Sequence, residues 1–382
     1  MSQKSVDFFN QKMYPQVVFR KKGDREADLQ KNTAPRPQPV TYRDKFVRAG
    51  SPAFDVDRYI DSEFGDRMIR LYENFAPYER EDDPAVFAFW ERLGLRKEIH
   101  NAADPERKWV SFVPLEAAEH PERSYPVVFC IHGNGTSLFA VETYGYCHLA
   151  AEEKFIVIIP QDAEDTFDAL YQTVLRDFPA DPSRIYLMGF SYGGWIVNKY
   201  GIEWVERFAA GCSGGVIYNG YDGNTGYRQM HFTDAQRANA REKHFPIAFI
   251  TGLQESNLFL PYHKQKDEVT NLRDKLLGTI FWRDMNGCAV PSFEEAKAIS
   301  PREADSVEMT IGCRLDRTWV ELRDGVIYYF GAVSADDGIE RVLHVGIENG
   351  PHCPSPSFAR ISWDFMKHFS RDPETGRSVY TA

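Results

Sequence analysis

RIYLMGFSYGGWIVNKYGIEW, residues 184–204, passes from an apolar β-rich run, through Gly189-Phe190-Ser191-Tyr192-Gly193-Gly194, into a helical pattern. A serine flanked by glycines between a strand and a helix predicts a sharp turn that presents its hydroxyl at the tip. Only glycine lets the two flanking segments pass closely enough, and the serine itself must take a strained backbone. The amino terminus of the helix then lies beneath the reacting oxygen and favours negative charge developing there. Ser191 is therefore the candidate nucleophile. The bare pattern is weak alone, since a glycine-rich turn with a solvent-facing serine would also show it. The strand before, the helix after and the extra Gly194 give it weight.

Outward from this turn the sequence alternates. Short apolar runs occur at WVSFVP (109–114), VVFCIH (127–132), FIVIIP (155–160), PIAFITG (246–252) and VLHVGI (342–347). Near-continuous apolar strands imply burial on both faces, as in a mostly parallel sheet covered by helices. Helical patterns at 143–153 and 166–178 separate several of the runs, so the expected fold class is a doubly wound α/β sheet. In such sheets ligands bind at the carboxyl ends of the strands.

A strand–turn–helix of this kind on a mostly parallel sheet is the nucleophile elbow of the α/β-hydrolase fold. There, one oxyanion donor is the backbone N–H after the nucleophile, here Tyr192, and the other comes from a loop after an earlier strand. His132-Gly133-Asn134-Gly135 ends the second run, so Asn134, with Gly135 as the alternative, supplies that second donor. His132 reads as a structural strand-end residue. The fold's chain order is Ser, then Asp or Glu, then His. After the strand PIAFITG the only nearby carboxylate is Glu255, the candidate acid. His352 lies in ENGPHCPSPSF, after the last run and before the closing helical segment, and is the candidate base. His231, His244 and His263 come too early in the chain; His344 and His368 fall in a strand and a helix. Asp162, Asp165 and Asp168 precede Ser191 and read as helix-start residues or substrate contacts.

With these residues placed, the chain resembles the polyhydroxybutyrate-depolymerase and feruloyl/acetyl-xylan-esterase branch of the α/β hydrolases. The matching stretches are YPVVFCIHGNG, KFIVIIPQD, DPSRIYLMGFSYGGW, PIAFITGLQES, FWRDMNGC and ENGPH, spanning roughly residues 108–370. The resemblance implies Ser191 as nucleophile, the Glu255 position as acid, His352 as base, and an Asn286-Gly287-Cys288 element between acid and histidine. The branch commonly has Asp at the acid position and G-G-G-H at the histidine, where this chain has Glu255 and N-G-P-H. The implied activity is cleavage of a small-molecule or oligomeric ester, with no metal and no cofactor. A serine peptidase or amidase is the competing reading, and a non-catalytic binding protein a third.

The expected organisation is a partly helical N-terminal extension over residues 1–105, then a catalytic domain over 106–382 with a lid or rim insertion at 289–321. The extension carries NTAPRPQPV (32–40), which suits an extended arm, and helical patterns at 54–75 and 84–98; it is a candidate cap or homo-oligomer contact. A formal net charge of −11 repels phosphate backbones and anionic bilayers, which argues against nucleic-acid and membrane partners. Residues 1–30 lack the apolar core of a secretory leader, and the six cysteines show neither CxxC nor zinc spacing. Buried thiols in a cytoplasmic protein are the corresponding expectation.

Overall fold

The computed structural model describes residues 84–104, 107–120, 122–133, 138–142, 144–217, 230–252, 268–292, 314–323, 326–347, 354 and 357–382. In chain order the elements are α1 (Pro84–Arg92), β1 (Leu95–His100), β2 (Trp109–Pro114), α2 (Glu116–Glu119), β3 (Tyr125–Ile131), α3 (Leu138–Glu142) and α4 (Tyr146–Glu153). There follow β4 (Ile156–Pro160), α5 (Phe167–Asp177), β5 (Ala180–Phe190), α6 (Tyr192–Glu203), β6 (Ala210–Gly214), α7 (Asp234–Lys243) and β7 (Ile247–Gly252). The chain closes with α8 (Glu268–Met285), β8 (Arg317–Arg323), β9 (Val326–Ser334), β10 (Glu340–Ile347), α9 (Ser357–Met366), β11 (Phe369–Arg371) and β12 (Ser378–Tyr380).

β1 to β10 form one ten-stranded sheet in the order β1-β2-β4-β3-β5-β6-β7-β10-β9-β8. The centre, from β4 to β10, is parallel, and an antiparallel pair closes each side. Every residue of β3 and β4 is buried, because helices cover both faces. Val127, Phe129 and Ile131 of β3 pack on one face with residues of α5, α6 and α8. The alternate residues Val128 and Cys130 pack on the other face with residues of α1, α3, α4 and α9. The period-two alternation of a strand thus divides the apolar runs between two cores. This is the doubly wound α/β-hydrolase fold expected from the sequence.

The start of the sheet departs from the sequence pattern. Residues 84–98 read as one helix, but the helix stops at Arg92, and Gly94, at φ 87°, turns the chain into β1. β1 pairs antiparallel with β2, from Leu95 opposite Pro114 to His100 opposite Trp109. Residues 84–104 therefore join the sheet and its core, ahead of residue 106. At the other end, Arg317–Arg323, which includes the close of the stretch 289–321, is the outermost strand β8. The segments 32–40 and 54–75 lie outside the described residues.

Cys130, Cys147, Cys212 and Cys288 are free and buried, as expected. Among the described residues, no helix is long and apolar enough to cross a membrane.

Candidate active site

The turn at Ser191 has the geometry its glycines predict. Ser191 takes φ 56° and ψ −112°, a conformation that costs a non-glycine residue on the order of 1–3 kcal/mol. Its N–H donates to Gly214 O of β6 at 2.8 Å, and its carbonyl accepts from Trp195 N at 3.0 Å, so the strained peptide is held from both sides. A β-carbon on Gly193 would stand 2.2 Å from Ile131 O and 2.9 Å from His132 O. The first turn of α6 therefore lies directly against the end of β3, which leads into the predicted oxyanion loop.

A buried polar network fixes that first turn. The Asn198 amide donates to Gly194 O at 2.7 Å and to Ser213 Oγ at 2.9 Å. The Trp282 indole donates to Asn198 Oδ1 at 2.8 Å, linking α8 to α6. No local motif marks Asn198, Ser213 and Trp282, because they are brought together across 15 and 84 residues of chain. Beside the nucleophile, the Tyr192 hydroxyl donates to Glu164 Oε2 at 2.6 Å, and Tyr200 OH donates to Ala163 O at 2.7 Å. The loop after β4 is thereby tied to α6. Asp162 Oδ1 in that loop accepts from Glu164 N at 2.8 Å, and Asp168 in the first turn of α5 pairs with Arg207.

The histidines separate by position. His132 is buried, with Nδ1 2.7 Å from Gly133 O and Nε2 2.8 Å from Gln161 O, so backbone carbonyls occupy its ring as a strand-end residue. His344 is buried in β10 and stacks on Phe249, with ring centroids 5.4 Å apart. His244 caps α7 ahead of β7, on the amino edge of the sheet and away from Ser191; its ring faces Met285 O at 3.3 Å. His368 faces Thr381 O at 2.9 Å. The Asn286-Gly287-Cys288 element ends α8: Gly287 takes φ 67°, and Asn286 donates back to Trp282 O at 3.0 Å.

Asn134, Gly135, Glu255 and His352 lie outside the described residues. The strands that precede them, β3, β7 and β10, are parallel to β5 within the same sheet, so all four end on the edge that carries Ser191. Ile347 of β10 lies opposite Gly252 of β7, which places the two strand ends level. Burial raises the thiols of Cys130 and Cys147 well above their ordinary value and pushes those of Cys212 and Cys288 up to about 12, which removes them as nucleophiles at neutral pH. Among the described residues, no group of three His, Cys, Asp or Glu side chains converges as metal ligands.

No protein-family model matches the sequence, and no curated protein matches it. Solved structures do. The chain is similar to an S-formylglutathione hydrolase from Staphylococcus aureus, at 16% identity over 42% of this chain and 78% of that one, with a TM-score of 0.34. It is similar to a feruloyl esterase module from Clostridium thermocellum complexed with sinapinate, at 11% identity over 72% and 87% of the two chains, TM-score 0.40. It is similar to an acetyl xylan esterase from Aspergillus awamori, at 14% identity over 70% and 98%, TM-score 0.42.

Proposed function

We propose that the chain is a serine hydrolase that cleaves a carboxylic ester through an acyl-enzyme intermediate. The observation that carries this reading is Ser191 held at φ 56° between β5 and α6, on the carboxyl edge of a parallel sheet. A strained serine at that place has a cost for folding and a use in catalysis.

In the proposed mechanism His352 takes the Ser191 proton as Oγ attacks the ester carbonyl. Glu255 accepts the other imidazole N–H, fixes the tautomer and stabilises the imidazolium. The N–H groups of Tyr192 and of Asn134, or Gly135 in its place, hold the tetrahedral oxyanion; loss of one such donor costs about 10²–10³ in rate. His352 then protonates the departing alcohol. Water attacks the acyl-enzyme with His352 again as base, which restores Ser191 and releases the acid. The acyl group is of the feruloyl, acetyl or hydroxyalkanoate type, and the chemistry calls for no cofactor.

Intact-mass detection of a fluorophosphonate adduct tests the assignment. Wild type should take one adduct, Ser191→Ala none, and His352→Ala should label far more slowly. An unlabelled wild type, or equal labelling of Ser191→Ala, refutes it. Ester and amide substrates sharing one acyl group then separate an esterase from a peptidase or amidase.

A further inference from the structure

Leu322 and Val320 are the most exposed large apolar side chains among the described residues, at 71% and 59%. Both stand on β8, the outermost strand of the sheet beyond β9. Two positions apart, they point to the same face. Across β9 the apolar row continues, with Val320 opposite Tyr329 and Leu322 opposite Ile327. An edge strand is a template for pairing with another chain, and natural edges are blunted by proline, lysine, a bulge or a charge turned inward. The opposite edge has one such device, since Lys97 of β1 is buried. β8, RTWVELR, has neither proline nor lysine, and all seven residues pair with β9 in one register.

The charges of β8 are already matched within its own chain. The Arg317 guanidinium donates to both carboxylate oxygens of Glu340, at 2.7 and 2.6 Å, and lies 3.9 Å from the centre of the Trp319 ring. Glu321 accepts from Arg323 at 2.7 Å and from the Trp319 indole at 2.8 Å. We propose that β8 is a homodimer interface, at which a second copy of this chain adds its own β8 antiparallel across a two-fold axis through Val320. Val320 is the middle residue of the strand, so in this register all seven residues find a partner. Val320 meets its own counterpart, Leu322 lies opposite Thr318, and Trp319 lies opposite Glu321. Arg317 lies opposite Arg323, each with its own carboxylate, so two arginines and two carboxylates meet at each end. Charge favours a second copy as the occupant. A chain of formal net charge −11 is drawn to a basic segment, and β8 carries two arginines against one glutamate. The carboxyl edges of the two sheets then point in opposite directions. Each Ser191 acts alone, and the inference stands apart from the ester-hydrolase reading.

Sedimentation equilibrium of the full chain, at concentrations up to about 0.1 mM, should show a dimer in wild type. Val320→Lys/Leu322→Lys sets like charges across the joint and should weaken it about a hundred-fold or more. Both positions are exposed, so its thermal midpoint should match that of wild type. Val320→Cys and Leu322→Cys test the register, with wild type as the background for the native cysteines. On the axis, the Val320→Cys thiol meets its counterpart at cross-strand distance, within reach of a disulfide, and mild oxidation should link the dimer. Leu322→Cys, opposite Thr318, should stay unlinked. A wild type that remains monomeric overturns the proposal and leaves the edge to some other extended chain. So does a dimer that the lysines leave intact, or one in which Leu322→Cys links as readily as Val320→Cys. Should the lysine variant fail to fold, the two cysteine variants decide the matter alone.

Discussion

Gly189 and Gly193 approach so closely that a β-carbon on Gly189 would stand 2.2 Å from both the carbonyl carbon and the carbonyl oxygen of Gly193. The obstacle is backbone at the tip of β5 and the first turn of α6, so no rotamer change relieves it. Gly189→Ala must therefore open the elbow and move Ser191 relative to the Tyr192 N–H. A displacement of about 1 Å at a reacting group costs on the order of 10²-fold in rate. We expect Gly189→Ala to lower fluorophosphonate labelling at least that much, or to be lost from the soluble fraction. Labelling at the wild-type rate would refute the close approach.

Asn198 offers a test of how the elbow is supported. It is buried, donates to Gly194 O and Ser213 Oγ, and accepts the Trp282 indole. Asn198→Ala leaves that indole N–H stranded, which costs about 1–3 kcal/mol beyond the lost packing. Trp282→Phe removes the donor itself. Urea unfolding of both single variants and the double should show non-additivity of about 0.5–3 kcal/mol. Additive losses would mean that the two side chains do not share one network.

The same crowding explains what the sequence pattern shows and hides. The central strands were legible because VVFCIH and FIVIIP are apolar on both faces, and the elbow because its glycines are a local demand. β6 is hidden: AGCSG contains no apolar run. It is small because its faces are crowded: a β-carbon on Gly214, beside the elbow, would meet Phe190 at 2.8 Å, and one on Gly211 would meet Phe245, just ahead of β7, at 2.6 Å. β1, LRKEIH, is hidden for a different reason. One of its inward positions carries Lys97, whose partner Glu142 lies 45 residues away, so the strand reads as polar. Of the candidate site, the sharp turn at Ser191 was legible from its glycines together with the strand before it and the helix after it. Its supports at Gly214, Asn198 and Trp282 were not, since tertiary contact alone joins them.

His148 predicts a pH dependence of stability. Burial, with the rings of Trp90 and Phe89 packed edge-on against it, lowers its pKa from 6.5 to about 4. The unfolded chain takes up this proton as pH falls below 6.5, whereas the folded protein resists until about 4. Stability therefore falls with pH across that window, by about 2 kcal/mol from pH 7 to pH 5 for this residue. The measurement is urea unfolding at both pH values for wild type and His148→Gln. The variant should lose less stability than wild type by about that amount; equal losses would show that His148 is already protonated in the folded protein or well hydrated.

Arg371 bears on the C-terminal hairpin. It is 3% exposed, and its guanidinium donates to Phe208 O at 2.6 Å, Lys243 O at 2.9 Å and Gly376 O at 3.2 Å. These carbonyls come from the approach to β6, the end of α7 and the β11–β12 turn, so one side chain clasps the hairpin to the amino edge of the sheet. Arg371→Met leaves the carbonyls without this donor, and each one that stays buried and unsatisfied costs about 1–3 kcal/mol. The variant should unfold at lower urea by several kcal/mol in all, yet keep wild-type kcat on 4-nitrophenyl acetate, because Ser191 stands on the opposite edge. A loss of stability with no loss of kcat would identify it as a structural clasp distant from the chemistry. If kcat fell in parallel with stability, the two edges of the sheet would be mechanically coupled.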